Sequence, residues 1–156
     1  MARPDGAEVV RVHATCVVLD GVGVLIRGPS GSGKSDLALR LIDGGARLVA
    51  DDLTELRRRG AGVVAAAPPG APAAARGRIE LRGAGILSVP SAAEAMLGLV
   101  LDLVRPDQVE RLPEPAAWTC LGVALPVLAL DPFAASAAAK VRLVLRTLPG
   151  GIMPPA

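Results

Sequence analysis

Eight consecutive residues, Gly28-Pro29-Ser30-Gly31-Ser32-Gly33-Lys34-Ser35, limit what this chain can fold into more than any other feature. Their spacing is Gly-x-x-x-x-Gly-Lys-Ser: the glycines let backbone N–H groups curl around an anion, the lysine supplies fixed charge and the last hydroxyl can meet a divalent cation. Such a loop works between a strand and a helix, because the helix N-terminus adds positive potential to the amides. The flanks supply both. Residues 22–26 are an apolar, β-branched run, and over 34–43 the residues Leu37, Ala38, Leu41 and Ile42 recur at helical spacing before Gly44-Gly45. With 18 Gly in 156 residues, chance would give on the order of 0.002 such matches, so the segment reads as a phosphate-binding P-loop.

A chain of 156 residues makes one domain the expectation, since domains run to about 100–200 residues. The expected body is 9–148, between flexible tails at 1–8 and 149–156. A hydrophobic share of 51% against 21% charged excludes disorder. The net charge of +2, from 17 basic and 15 acidic residues, gives no reason to expect nucleic acid. The longest apolar stretch, 120–130, has a proline inside it and is far short of the roughly 20 residues that cross a bilayer, so no membrane association is expected. The polar N-terminus lacks a signal core, which points to the cytoplasm. There Cys16 and Cys120 are expected to be buried free thiols.

The rest of the chain reads mainly as strands. Residues 9–19 and 22–26 flank Asp20-Gly21 as a hairpin, 47–50 is a strand ending at Asp51-Asp52, and 53–59 with 63–67 flank Gly60-Ala61-Gly62 as a second hairpin. A Pro/Ala/Gly loop over 68–77, expected to be mobile, leads to a strand at 78–82 and then Gly83-Ala84-Gly85. Apolar runs follow at 97–104 and 121–130, and 134–148 reads as a closing helix with Val141, Val144, Leu145 and Leu148 on one side. The mixture is α/β with a mixed sheet, not a regular βαβ repeat. Trp118 and Phe133 lack the interleaved basic residues of a single-strand binder and are expected in the core.

Three groups outside the P-loop carry possible chemistry. Asp51 and Asp52 are adjacent at a strand end, where alternation would send one carboxylate toward metal and nucleotide and hold the other beside it. A P-loop enzyme needs such acids, as a second metal contact or as the base that accepts the attacking hydroxyl's proton. Glu80 and Arg82 share one strand face and could hold Mg²⁺ and a phosphate, or simply pair with each other. His13, the one histidine, is either structural or part of the site; with two distant cysteines it makes no zinc centre. Arg57–Arg59 reads as a solvated face.

Taken together, His13, the Gly28–Ser35 loop, Arg47-Leu48-Val49-Ala50-Asp51-Asp52 and Ile79-Glu80-Leu81-Arg82-Gly83-Ala84-Gly85-Ile86 resemble, in order and spacing, the catalytic domain of HPr kinase/phosphorylase over roughly 10–148. The short length is similar to that of the truncated HPr kinases of alphaproteobacteria. The resemblance implies a fold like that of phosphoenolpyruvate carboxykinase, a mixed sheet with a P-loop helix and a C-terminal helix. It also implies ATP- and Mg²⁺-dependent phosphorylation of a serine on the phosphocarrier protein HPr, and a homo-oligomer, a hexamer in the family. By it Lys34 holds the β/γ-phosphates, Ser35 and Glu80 hold Mg²⁺, Asp52 accepts the serine proton and Asp51 supports it. His13 lies near the phosphates, Arg82 belongs to the catalytic strand and Arg111 helps position phosphate. The family's Pro-Val-x-x-Gly-Arg-Asn segment, tied to the reverse, phosphorolytic reaction, is here Pro126-Val127-Leu128-Ala129-Leu130-Asp131-Pro132-Phe133. With its donors gone, phosphorylase activity is not expected unless Lys140 or Arg142 reaches back. Two rival readings are a small-molecule P-loop kinase and a non-catalytic ATP-sensing interaction module.

Overall fold

The computed structural model describes residues 8–70 and 77–148. The mobility expected of the 68–77 loop, and that of the tails, therefore falls largely outside the described residues. Strands β1 (Val9–Val12), β2 (Ala14–Leu19) and β3 (Val22–Arg27) lead to helix α1 (Lys34–Asp43). Then come β4 (Arg47–Ala50), β5 (Thr54–Arg59), β6 (Gly62–Ala66), β7 (Arg78–Leu81), β8 (Gly85–Ser88) and the long β9 (Glu94–Leu103). After a 3-10 turn at Pro106–Gln108 come β10 (Ala116–Cys120), β11 (Val123–Leu130) and helix α2 (Ala137–Thr147).

The expected hairpins form. β2 and β3 pair antiparallel around Asp20-Gly21, and β5 pairs with β6 across Gly60-Ala61. Three strands differ from expectation. The run 9–19 breaks at His13, so that β1 joins β5 while β2 joins β3 and β4. β8 pairs with β7 as a separate two-stranded sheet, and β10 pairs with β11. Neither β8 nor β10 alternates cleanly: β8 is exposed throughout, and β10 is exposed at three of its five positions.

β9 is the centre of the main sheet, whose order is β1-β5-β6-β9-β3-β2-β4. Its first residues pair antiparallel with β6, its last pair parallel with β11, and β3 runs parallel along its other edge. Two apolar cores sit on opposite faces. α1 and α2 cover one, with Val24, Ile26, Leu99, Leu101, Leu41 and Val141. The other lies where the sheet curls on itself, with Leu25, Leu56, Val63, Leu97, Val100 and Leu125.

Strict alternation would put Leu97 and Leu99 on the same face, yet they serve different cores. The register of β3 against β9 shifts from Gly23↔Leu97 to Val24↔Leu99, so Gly98 is an extra residue that reverses the strand's facing. A side chain has no room there: a Cβ on Gly98 would stand 2.6 Å from Val22 Cγ1. Gly98→Ala is expected to lower stability by about 1–3 kcal/mol, the usual cost of overpacking, read as a fall in the denaturant midpoint.

Candidate active site

The parallel strands β3, β9 and β11 end on one edge of the sheet, and the glycine loop leaves β3 there. The loop is shaped by its own backbone. Ser32 N–H donates to Pro29 O at 3.0 Å, and Gly33, at φ +99°, turns the chain into α1 with a conformation that side chains resist. A Cβ on Gly28 would stand 2.4 Å from Ser32 Oγ, so the first glycine is required by the loop's own fold. Lys34 is 7% exposed and its ammonium donates to Gly28 O at 2.8 Å and Pro29 O at 3.1 Å. With three donors, it retains one for a ligand. Ser32 Oγ is buried with no hydrogen-bond partner in the structure. An unpartnered hydroxyl, one spare ammonium donor and a ring of glycines are what a phosphate requires of this loop.

Asp51 and Asp52 lie just past the end of β4, so strand alternation does not govern them; this corrects the expectation of opposite faces. Both reach the same cleft, and their environments differ for another reason. Asp51 Oδ1 accepts two hydroxyls, from Ser35 at 3.0 Å and from Thr15 at 3.0 Å. Thr15 Oγ1 in turn accepts the Asp52 N–H at 3.2 Å, and Asp52 has φ +65°. The Asp52 side chain is exposed and free of hydrogen bonds and ion pairs among the described residues. Thr15, fully buried on β2, is a site residue that sequence reasoning missed. The available signal was one hydroxyl facing inward from an otherwise apolar strand.

The cleft holds about 850 Å³. One wall is the phosphate loop and the Ser35, Asp36 and Leu39 face of α1. The other is the β7–β8 hairpin, where Glu80, Leu81, Arg82, Gly83 and Gly85 line it. Alternation on β7 holds: Ile79 is buried in the helix-side core, while Glu80 is exposed toward the cleft. No ion pair joins Glu80 to Arg82 among the described residues. The cleft therefore carries four carboxylates, Asp36, Asp51, Asp52 and Glu80, against Lys34 and Arg82. Among the described residues no three acidic, His or Cys side chains converge to hold a metal by themselves; the oxygens of Ser35 and Glu80 are of the hard kind Mg²⁺ takes alongside phosphate, with few ligands from the protein. Ser35 Oγ donates its proton to Asp51, which leaves its lone pairs for a cation.

Other expected site residues stand apart from this cleft. His13 is exposed in the bend between β1 and β2. It adjoins Ala14, which pairs with Arg27, the residue that precedes the phosphate loop. Arg111 is exposed in the stretch before β10 and does not line the cleft. Arg142 cannot reach back, because its Nη2 donates to Arg40 O at 2.9 Å at the far end of α1. Phe133, expected in the core, is 70% exposed and lines the cleft instead. Trp118 is half-buried against the second core under the Arg27 guanidinium, 4.5 Å from its ring centre, and Arg27 forks onto Asp102 at 2.7 and 2.9 Å. Arg58 and Arg59 are exposed and Arg57 half-buried; Arg59 pairs with Glu94 at 2.6 Å. Both cysteines are free and buried, and burial pushes the Cys16 thiol up to about 12, outside any nucleophilic role.

Residues 5–129 match the family described as the HPr Serine kinase C-terminal domain. The HPr kinase/phosphorylase of Bordetella pertussis is 39% identical over 117 residues, 69% of this chain and 37% of its own length. That of Exiguobacterium sibiricum is 43% identical over 83 residues, 53% of this chain and 26% of its own. The chain thus spans about a quarter to just over a third of these relatives. Among solved structures, the Hpr(Ser) kinase/phosphatase from Coxiella burnetii superposes with a TM-score of 0.74 at 28% identity, covering 88% of each chain. The phosphate loop, the paired aspartates and the carboxylate-bearing hairpin are thus set in a fold shared with that enzyme, and this chain belongs to the HPr serine kinase C-terminal domain family.

Proposed function

We propose that this chain transfers the γ-phosphoryl group of ATP·Mg²⁺ to a serine hydroxyl of the phosphocarrier protein HPr. The observation that carries the reading is that Lys34 and Ser35 share one cleft with Asp51 and Asp52, the latter with an unengaged carboxylate. The relatives' printed names support the choice of reaction and protein substrate.

Each residue then has a distinct task. The loop amides and Lys34 grip the β- and γ-phosphates and spread the charge that shifts as the bridging P–O bond breaks. Bound Mg²⁺, held by Ser35 and Glu80, would neutralise the phosphate oxygens further. Asp52 takes the proton of the attacking serine hydroxyl as its oxygen bonds to the phosphorus, and ADP leaves. Asp51 is engaged with two hydroxyls and acts as a brace, fixing Ser35 and, through Thr15, the backbone of Asp52. A small-molecule acceptor would fit the same machinery, so incubation with the host's HPr and ATP·Mg²⁺, followed by mass spectrometry, decides the matter: an added phosphate on one serine is expected. Label appearing only on metabolites, or staying on the nucleotide, would favour the rivals.

Lys34→Ala should remove most nucleotide affinity and all measurable transfer, because fixed charge against the phosphates acts before and during reaction. Wild-type transfer by that variant would sink the assignment of the loop.

Asp52→Asn should bind ATP normally and transfer about 10² or more slower, the range of general-base catalysis. Asp51→Asn and Thr15→Val should instead disturb geometry. Their kcat is expected to fall with ATP affinity little changed in Thr15→Val, and Thr15→Ser should restore it. Equal losses of binding and rate in Asp52→Asn would make that residue a metal contact.

The reverse reaction, attack of inorganic phosphate on phosphoserine, brings two polyanions into one pocket and needs extra donors. Where β11 leaves the sheet beside the loop, this chain has Asp131, Pro132 and Phe133, and Arg142 is tied elsewhere. Pyrophosphate release from serine-phosphorylated HPr at millimolar phosphate is therefore expected to be far slower than the forward reaction on the same preparation. Comparable rates would overturn this and turn attention to Lys140.

A further inference from the structure

Among the described residues, Phe133 is the one Phe or Trp ring left open. The sequence holds one Trp, one Phe and no Tyr, and the Trp118 ring is already covered by the Arg27 guanidinium. Phe133 is 70% exposed, yet it does not sit on a loose segment. Its N–H donates to Asp131 Oδ1 at 3.0 Å, Pro132 before it is buried with its carbonyl accepting from Arg40 Nη2, and Ala137 soon after is fully buried. The backbone is thus pinned on both sides while the ring is held outward, into the rim of the cleft that contains the phosphate loop.

The ring also has a fixed neighbour. It lies against Gly33, where an added Cβ would be 3.2 Å from Phe133 Cζ and 3.3 Å from Cε1. One edge of the ring is therefore set beside the glycine of the phosphate loop that caps α1, its carbonyl accepting from Leu37 N–H at 2.9 Å. An apolar ring at that place gains nothing from a phosphate. It offers a flat surface to whatever is attached to one, and nucleic-acid bases stack on such rings without regard to their hydrogen-bonding edges.

We propose that Phe133 is the stacking platform for the nucleobase of the phosphoryl donor. The inference rests on the reading of the cleft as a nucleotide site and deepens it: the donor is recognised as a purine nucleoside triphosphate through its base as well as its phosphates, with little distinction between adenine and guanine. Phosphates are gripped by the loop, the base by Phe133, and the two contributions separate in a binding experiment.

Calorimetric titration of the full chain, in the presence of Mg²⁺, with ATP, GTP and the baseless analogue tripolyphosphate makes that separation. Wild-type protein should bind ATP and GTP alike, about 10-fold more tightly than tripolyphosphate, given the usual worth of one stacked base. Phe133→Ala should weaken ATP and GTP about 10-fold and leave tripolyphosphate within about twofold. Phe133→Trp should restore nucleotide binding, and Phe133→Leu, apolar but without a π-face, should not. The side chain is exposed, so these variants keep the core intact. Equal weakening of tripolyphosphate and ATP in Phe133→Ala would mean that the ring only shapes the loop. Unchanged ATP binding, with a raised KM for HPr or a changed sedimentation coefficient, would assign the ring to a protein contact; either result overturns the platform. Wild-type protein that binds none of the three ligands would overturn the nucleotide reading itself, and a wild type that binds ATP without phosphorylating HPr would overturn the proposed reaction while leaving the platform standing.

Discussion

β9 has to face two apolar cores with one run of backbone, and the arrangement of the site follows from how it does so. Before Gly98 its Ala95 and Leu97 face the curled part of the sheet; beyond it Leu99, Leu101 and Leu103 face the helices. Without the extra residue the inward and outward sets would exchange beyond that point, and the strand would offer the wrong face to α1 and α2. The bulge also brings β3 into parallel register with the second half of β9, and β11 into register on its opposite edge. All three strands then end at the same edge. The phosphate loop leaves β3 there, Asp102 near the end of β9 fixes Arg27, and the turn bearing Phe133 leaves β11.

Four carboxylates line the cleft at that edge, and they are not equally free. Asp51 is held by two hydroxyls, and Asp36 pairs with Arg40 at 3.0 Å one turn along α1. Glu80 and Asp52 are left to face a ligand. This division gives the two neighbouring aspartates different chemistry despite identical side chains. A carboxylate accepting two hydrogen bonds has its geometry fixed and its lone pairs partly spent, which suits a brace. An unengaged carboxylate on a residue whose amide is tethered to Thr15 has the placement that the proposed role of Asp52 requires.

Much of this was legible in the sequence where local chemistry dominates. The phosphate loop is specified by glycines whose positions tolerate no side chain or demand a left-handed turn, and α1 and the two tight hairpins follow from apolar period and turn residues. The alternation of Glu80 against Ile79 also held, because β7 buries one face only. What escaped depends on partners distant in sequence. Thr15 looks like a β-branched strand residue until β4 brings Asp51 within 3.0 Å of it, 36 positions away. Phe133, with no interleaved basic residues around it, reads as core, whereas Asp131 and Pro132 direct its backbone so that the ring faces out. Ala116–Cys120 carries little alternation of its own and becomes a strand by pairing with β11. Strand alternation does not apply to Asp51 and Asp52, because β4 ends at Ala50.

The two walls of the cleft differ in how firmly they are built. Lys34, Ser35 and Asp51 rest on α1 and on strands of the main sheet, with Leu37, Leu41, Val24 and Ile26 fully buried beneath them. Glu80 and Arg82 rest on a two-stranded sheet of four residues a side, and β8 is exposed along its whole length. That hairpin is attached through Ile79, its one fully buried side chain, through partly buried Leu81, and, just past β8, through Leu48 N–H of β4 donating to Pro90 O at 2.8 Å. An isolated two-stranded ribbon is marginally stable in water, and local opening is easiest where few apolar contacts are buried. The loop side is thus set by the core, whereas the position of Glu80 rests on the few buried contacts of its hairpin. In the proposed reaction the phosphates would meet groups already in place, whereas a cation bridging the walls would spend part of its affinity in fixing Glu80.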